Sequence, residues 1–358
     1  MLAAAGCSFG DSEESTSLPR LASGEPLPDR CVVQRVRRRA TVTFVANGRA
    51  WALDPDTGRP SCLFPAREPG PFAWGPRGDR VLLASLEVKG LRGAPTRPPT
   101  TIDPPAASWG RPIGKSIVFV GRRGRVLLKA HPAGGGFTDV TPMKQLRYRR
   151  VVYHPSGLAF AFIPRSADGI ESIWISTNTG NWPRMLVHGR AHTGFGLLAF
   201  GDGGTALYFS ARHADDRDDV HSLPLADPRF AEVRWRSEPG ERVSDLFVTD
   251  GGQIALTAGR DCESRRALRV GPLPRRAVAT LVEEQPSRAL GWLDGEHVLV
   301  GVGGCRRPLD LYTVDTSSLA SRLLVRGVSA ASVRRAEPLP PPSLPIKLGP
   351  RGKQAAVA

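Results

Sequence analysis

Short apolar runs recur along the chain, and each is announced by a turn. An aromatic or apolar residue is followed by Pro or Asp with Gly, and then by an apolar stretch. The copies centre on Trp74, Trp109, Tyr153, Phe200, Val248 and Trp292. Successive centres lie 35, 44, 47, 48 and 44 residues apart. A period of about 40–50 residues with a strand–turn–strand signature indicates propeller blades. Gly with Asp or Pro supplies the tight turn between two antiparallel strands. The run after the turn is apolar throughout, as expected of a strand buried on both faces between neighbouring sheets. The aromatic before the turn fills space between sheets.

Alternating segments after most copies supply outer strands. Residues 124–130, 173–176 and 310–315 read as third strands, and 185–188 and 321–326 as fourth strands, whose Arg residues protect exposed edges. Residues 41–46, 48–54 and 61–64 make three strands with no first strand before them. The segment 327–334 can supply that strand from the other end of the chain, closing the ring by pairing the N- and C-terminal strands. The expected fold is therefore all-β, a β-propeller of seven blades. A six-bladed or irregular ring is the alternative, because residues 93–105 are poor strand material. The expected organisation is a flexible tether over 1–29, the propeller over 30–336, and a Pro-rich disordered tail over 337–358.

The repeats resemble the TolB-type and WD40-like propellers, whose hallmark is an aromatic followed by Ser-Pro-Asp-Gly. Trp74-Gly75-Pro76-Arg77-Gly78 and Tyr153-His154-Pro155-Ser156-Gly157 match best; the other copies lose the Pro or the Asp. The likeness spans about residues 40–335 and lacks the Trp-Asp dipeptides of true WD40 repeats. It implies an interaction platform, often in the cell envelope, and carries over no catalytic residue.

Composition agrees with this reading. Gly and Pro total 72 of 358 residues, too many for a mainly helical protein. No apolar run is long enough for a membrane-spanning helix. The formal charge is +15, yet only six of the 49 basic residues are Lys, a bias that points to a GC-rich genome rather than to nucleic-acid binding. The basic runs at 35–39, 121–125 and 147–150 carry few interleaved aromatics, and no nucleic-acid-binding motif accompanies them.

The chain opens Met1-Leu2-Ala3-Ala4-Ala5-Gly6-Cys7. Ala4-Ala5-Gly6-Cys7 resembles a bacterial lipobox, which implies that Cys7 is lipidated and that a signal peptide belongs upstream. Residues 8–29 have almost no aromatic or β-branched content and read as a tether. That leaves Cys31, Cys62, Cys262 and Cys305, an even set suited to an oxidising compartment. The repeat frame puts Cys262 and Cys305 after matching strands of adjacent blades, and Cys31 and Cys62 at the two ends of one blade. The expected pairs are Cys31–Cys62 and Cys262–Cys305.

Chemistry is sparse. His213-Ala-Asp-Asp-Arg-Asp-Asp-Val-His221 is the densest ionisable cluster. Asp215, Asp216, Asp218 and Asp219 are weak metal candidates, but the reading here is a solvated loop between second and third strands, with no metal and no cofactor. Residues 166–174 resemble the Asp-box of sialidase propellers with altered spacing, and need only be a β-turn. No nucleophile elbow, phosphate loop or dinucleotide fingerprint occurs. No catalytic residue is assigned, and an enzyme is not the first expectation. The expected protein is a monomeric, lipid-anchored, extracytoplasmic binding platform of a high-GC Gram-positive bacterium. Its partner would be an envelope protein, a peptide or an anionic wall polymer. The alternatives are a hydrolase or lyase at the central channel, and a basic cytoplasmic binding protein.

Overall fold

The computed structural model describes residues 19–29, 41–65, 73–74, 80–82, 88–90, 107–109, 117–120, 124–130, 137–189, 193–201, 203–249, 251–271, 278–280, 285–304, 308–334 and 342–349. The described residues form 28 β-strands. In chain order these begin with β1 (Arg20–Leu21), then β2 (Val42–Ala46), β3 (Arg49–Leu53) and β4 (Pro60–Pro65), then β5 (Ala73–Trp74), β6 (Arg80–Leu82) and β7 (Val88–Gly90). Next come β8 (Ala107–Trp109), β9 (Ile117–Val120), β10 (Leu127–Ala130) and β11 (Phe137–Asp139), followed by β12 (Arg147–Tyr153), β13 (Ala159–Arg165), β14 (Ser172–Thr177) and β15 (Arg184–His188). The chain continues through β16 (Gly194–Phe200), β17 (Ala206–Arg212), β18 (Asp218–Pro224) and β19 (Glu232–Arg236), then β20 (Arg242–Val248), β21 (Ile254–Gly259), β22 (Arg266–Val270) and β23 (Val278–Thr280). It ends with β24 (Ser287–Trp292), β25 (His297–Val302), β26 (Leu309–Asp315), β27 (Ser321–Val328) and β28 (Ala330–Val333).

These strands make seven antiparallel sheets among the described residues, and the protein is a β-propeller. We number the sheets from the N-terminus. The first is β28-β2-β3-β4, so the last strand of the ring is the innermost strand of its first sheet, as the sequence predicted. All six repeat centres fall on the final residue of an innermost strand: β5, β8, β12, β16, β20 and β24. The second strands are buried as expected, with β21 covered along its whole length and β13 to its last residue. The turns share one chemistry. Gly157, Gly204 and Gly252 sit at positive φ, and each donates its N–H to the carbonyl three residues back.

Two features lay beyond the reach of periodicity. Innermost strands β12, β16, β20 and β24 each carry a register shift, at matching places in the first three and nearer the strand end in β24. An innermost strand has one edge without a partner strand, so part of its backbone needs another acceptor. The preceding sheet supplies it. Glu171 Oε2 accepts from Phe195 N at 2.8 Å, Asp218 Oδ2 from Val243 N at 3.0 Å, and Thr257 Oγ1 from Ala289 N at 2.9 Å. Each donor is the residue just before a bulge. The Glu171 and Asp218 latches tie neighbouring sheets together at equivalent points, at the start of a third strand, while Thr257 reaches across from a second strand, β21.

Two described segments near the ends, 19–29 and 342–349, are more ordered than their composition suggests. Residues 19–29, expected to belong to the tether, include β1, which pairs with β27 as a fifth outer strand of the seventh sheet. Leu21 and Leu27 are buried in the core that joins the first and seventh sheets. Two leucines with an open strand edge beside them are enough to order a stretch that is otherwise polar. Near the C-terminus, residues 342–349 form no helix or strand. Ile346 is nonetheless buried between the fourth and fifth sheets, with Leu344 and Leu348 packed beside it. Alternating apolar side chains dock there without joining any ladder.

Candidate functional site

The fourth sheet, β12–β15, carries the most unusual surface. Six large apolar side chains are exposed among the described residues, and four of them, Leu158, Ile170, Trp182 and Met185, belong to this sheet and its turns. A β-bulge accounts for Met185. Across β14 and β15 the register runs Ile173↔Val187 and then Trp174↔Met185, which leaves Leu186 as the extra residue. The extra residue breaks the in–out alternation. Leu186 is buried and Met185 faces solvent. Trp182 has a φ of 50°, a conformation that is costly for a bulky side chain.

Ile170 and Met185 flank a half-open cleft of about 270 Å³. Leu146, Pro164 and Trp174 complete its apolar wall, and Asp168, Ser172 and His188 stand at its polar margin. The margin is pre-arranged. Ser166 donates its hydroxyl to Asp168 and to the Ile170 carbonyl, and Trp174 Nε1 donates to Ser172 Oγ at 2.8 Å. Residues 166–170 are thus the expected tight turn between β13 and β14, with Gly169 at positive φ. The turn forms one lip of the cleft, a role its sequence did not disclose.

On the opposite end of this sheet His154 is fully buried. One ring nitrogen lies 2.8 Å from Ser156 Oγ and the other 2.7 Å from the Gly204 carbonyl of the next sheet. Burial pulls its pKa down, against the Gly204 contact.

The fifth sheet holds the ionisable cluster. Its four carboxylates diverge, so they form no common cage. Asp215 and Asp216 are on the turn and largely exposed, with Asp216 paired to Arg242. Asp218 and Asp219 are buried on β18, which corrects the expectation of a wholly solvated loop. Asp218 serves the latch to Val243, and burial pushes its carboxyl upward in pKa. Asp219 instead shares a face of β18 with His221, and His213 Nε2 lies 3.2 Å from its Oδ2. The sequence marks both histidines as part of the cluster, but its metal candidates were the four aspartates, of which Asp219 alone has a histidine nitrogen beside its carboxylate.

Of the remaining predicted residues, Cys7, Cys31 and Cys305 lie outside the described residues. Cys62 is buried on β4 and Cys262 sits in the β21–β22 loop. Neither is a free thiol. The latch residues Glu171 and Asp218 were also missed. They are 47 residues apart, the separation of Tyr153 and Phe200, and each follows an Arg by six positions. That shared spacing was the available signal.

No protein-family model matches the sequence, and no curated protein does. Solved structures match at the level of fold. A prolyl endopeptidase is 14% identical, with 86% of this chain and 50% of that chain covered at a TM-score of 0.56. A chain of a nidogen/laminin complex is 11% identical, with 83% and 99% covered at a TM-score of 0.50. A TolB from Agrobacterium tumefaciens is 13% identical, with 82% and 98% covered at a TM-score of 0.46. The chain spans about half the length of the peptidase. At these identities the first two likenesses agree with the propeller fold and establish nothing about activity.

Proposed function

We propose that this protein is a lipid-anchored, extracytoplasmic propeller that binds a protein partner at the outer edge of its fourth sheet rather than transforming a substrate. One observation carries the reading: the exposed apolar side chains concentrate on that sheet, and two of them frame the cleft. Clustered exposed apolar surface marks sites of protein association. A volume of about 270 Å³ falls at the lower limit of small-molecule pockets, roughly 300 Å³. It suits a single apolar anchor side chain from a partner, inserted among near-neutral surrounding contacts.

The address rests on Ala4-Ala5-Gly6-Cys7 and on the cysteine content. With Cys7 acylated, Ser8–Leu18 could extend roughly 35–40 Å before β1 begins. The ring would stay near an anionic membrane or wall, which a charge of +15 favours. The proposed pairs are Cys31–Cys62 and Cys262–Cys305. The second pair has local support, because the loops that carry it meet. A Cβ on Gly304 would lie 2.5 Å from Glu263 Oε1.

The test is site-specific photo-crosslinking in intact cells from position 185, compared with position 234 on the equivalent strand of the fifth sheet. A discrete adduct from 185 alone, lost when Ile170→Asp is added, is the expected result. Equal crosslinking from both positions, or an adduct insensitive to Ile170→Asp, would overturn it. A hydrolase or lyase acting at the channel predicts that second outcome.

A further inference from the structure

We propose that His213, Asp219 and His221 form a binding site for a transition-metal dication with zinc-like preferences. The site lies on the fifth sheet and is independent of the cleft on the fourth. Its three potential ligand atoms all lie within 4.8 Å of one another. His213 Nε2 and Asp219 Oδ2 are 3.2 Å apart. Two ligands on a tetrahedral ion with bonds of about 2.0–2.1 Å sit about 3.3 Å apart, so this pair is already at the required separation. Asp219 and His221 are two residues apart on β18 and therefore project from the same face. His213 comes from the turn at the end of β17, beside them.

The surroundings hold the donors still. Asp219 is 2% exposed and His221 8%. Phe209 stacks flat on the His221 ring, with centroids 5.1 Å apart and planes 5° apart. That stack fixes the plane in which the imidazole nitrogens lie. Two imidazoles and one carboxylate disfavour Ca²⁺ and Mg²⁺, which prefer oxygen, and favour zinc and its neighbours. Three protein ligands leave a fourth position for water or a group from a bound molecule.

Two arginines compete for the carboxylate, but neither has secured it. Arg217 Nε is 3.7 Å from Asp219 Oδ1 and Arg236 Nε is 3.5 Å from Oδ2. A charge-assisted bond would be about 2.7–2.9 Å, and a bidentate fork would make two of them. Oδ1 accepts no hydrogen bond. The Arg217 and Arg236 side chains are 32% and 64% exposed, so both can swing into solvent as a cation arrives.

The test uses untagged, metal-stripped protein titrated with Zn²⁺ by calorimetry and with Co²⁺ by visible absorption. We expect one equivalent of each and the intense visible bands of a four-coordinate cobalt site. Affinity should fall at least tenfold in His213→Ala and in His221→Ala, and stay unchanged in His297→Ala, a histidine of the seventh sheet. His213 is on a turn, so His213→Ala decides the matter if the His221 variant does not fold. Absence of stoichiometric binding in the wild type would overturn the proposal. So would binding that survives in His213→Ala, which would mark an adventitious surface ion only.

Discussion

The fourth and fifth sheets stand side by side and share one plan: four strands, a bulged first strand, a buried second strand and a forward latch. They differ in where they put their unusual residues. The fourth sheet turns apolar groups outward, at Leu158, Ile170, Trp182 and Met185. The fifth turns ionisable groups inward, at Asp218, Asp219 and His221. The strands that build the ring are nearly interchangeable. Individuality comes from the third and fourth strands and their turns, where packing constrains the sequence least. Function in this ring is therefore sought sheet by sheet and not only at the channel.

Four measurements can break or sharpen that contrast. The largest effect should come from the shared core. Phe209→Ala removes a ring packed between Phe195 and His221, and Phe162→Ala removes its counterpart packed against Tyr148 and Phe160. Each should lose about 3–5 kcal/mol in denaturant unfolding. Only Phe209→Ala should also weaken zinc binding, and equal effects on zinc would erase the distinction between the sheets.

Next come the latches. Glu171→Ala and Asp218→Ala each leave one backbone N–H of the following sheet without its acceptor, costing about 1–3 kcal/mol apiece. Comparable losses would show the two sheets to be mechanically equivalent. A small loss at one position alone would show that the latch is not a general device.

A third measurement is the pH dependence of stability. Burial lowers the folded-state pKa of His154, so the unfolded chain takes up the proton first. The stabilisation is therefore complete above the ordinary histidine pKa of about 6.5 and is lost as pH falls below it. The slope cannot exceed about 1.4 kcal/mol per pH unit for one proton. Unfolding of the wild type and His154→Gln between pH 7.5 and 5 should show a decline in the wild type that the variant lacks.

The smallest stability effect belongs to the outer edge. Ile170→Asp and Met185→Asp should change unfolding free energy by no more than about 0.5 kcal/mol, because both side chains already face water. Their effect should appear in partner capture instead. A large stability loss would mean that the cleft is a structural element.

Much of the ring was legible in the sequence. The residues at turn positions, Gly157, Gly204 and Gly252, announce each hairpin, and the apolar second strands follow at once. Even the closing strand at 330–333 was readable, as an apolar segment left over at one end and a missing strand at the other. The bulges were not readable, because an extra residue such as Leu186 leaves composition and period almost untouched while reversing the facing of its neighbours. The cleft depends on that reversal. The His213–Asp219–His221 grouping depends on the pairing of β17 with β18, which decides that Asp219 rather than Asp215, Asp216 or Asp218 shares a face with His221. The docking of Ile346 depends on a groove formed by two sheets, and no local pattern records that.

The closing strand has one further consequence. Thr43 Oγ1 donates to the Ser332 carbonyl across 289 positions of sequence, so the first sheet stays incomplete until the strand that contains Ser332 has left the ribosome. Contacts this distant form slowly, because the loop between them must be ordered first. The first sheet therefore assembles last. Until then, the polypeptide is a string of partial sheets with β2 exposed at one end, the state most open to proteases and to pairing with a neighbour. A nick near residue 330 would cost the molecule its clasp, while the strands of the middle sheets would keep every partner they have.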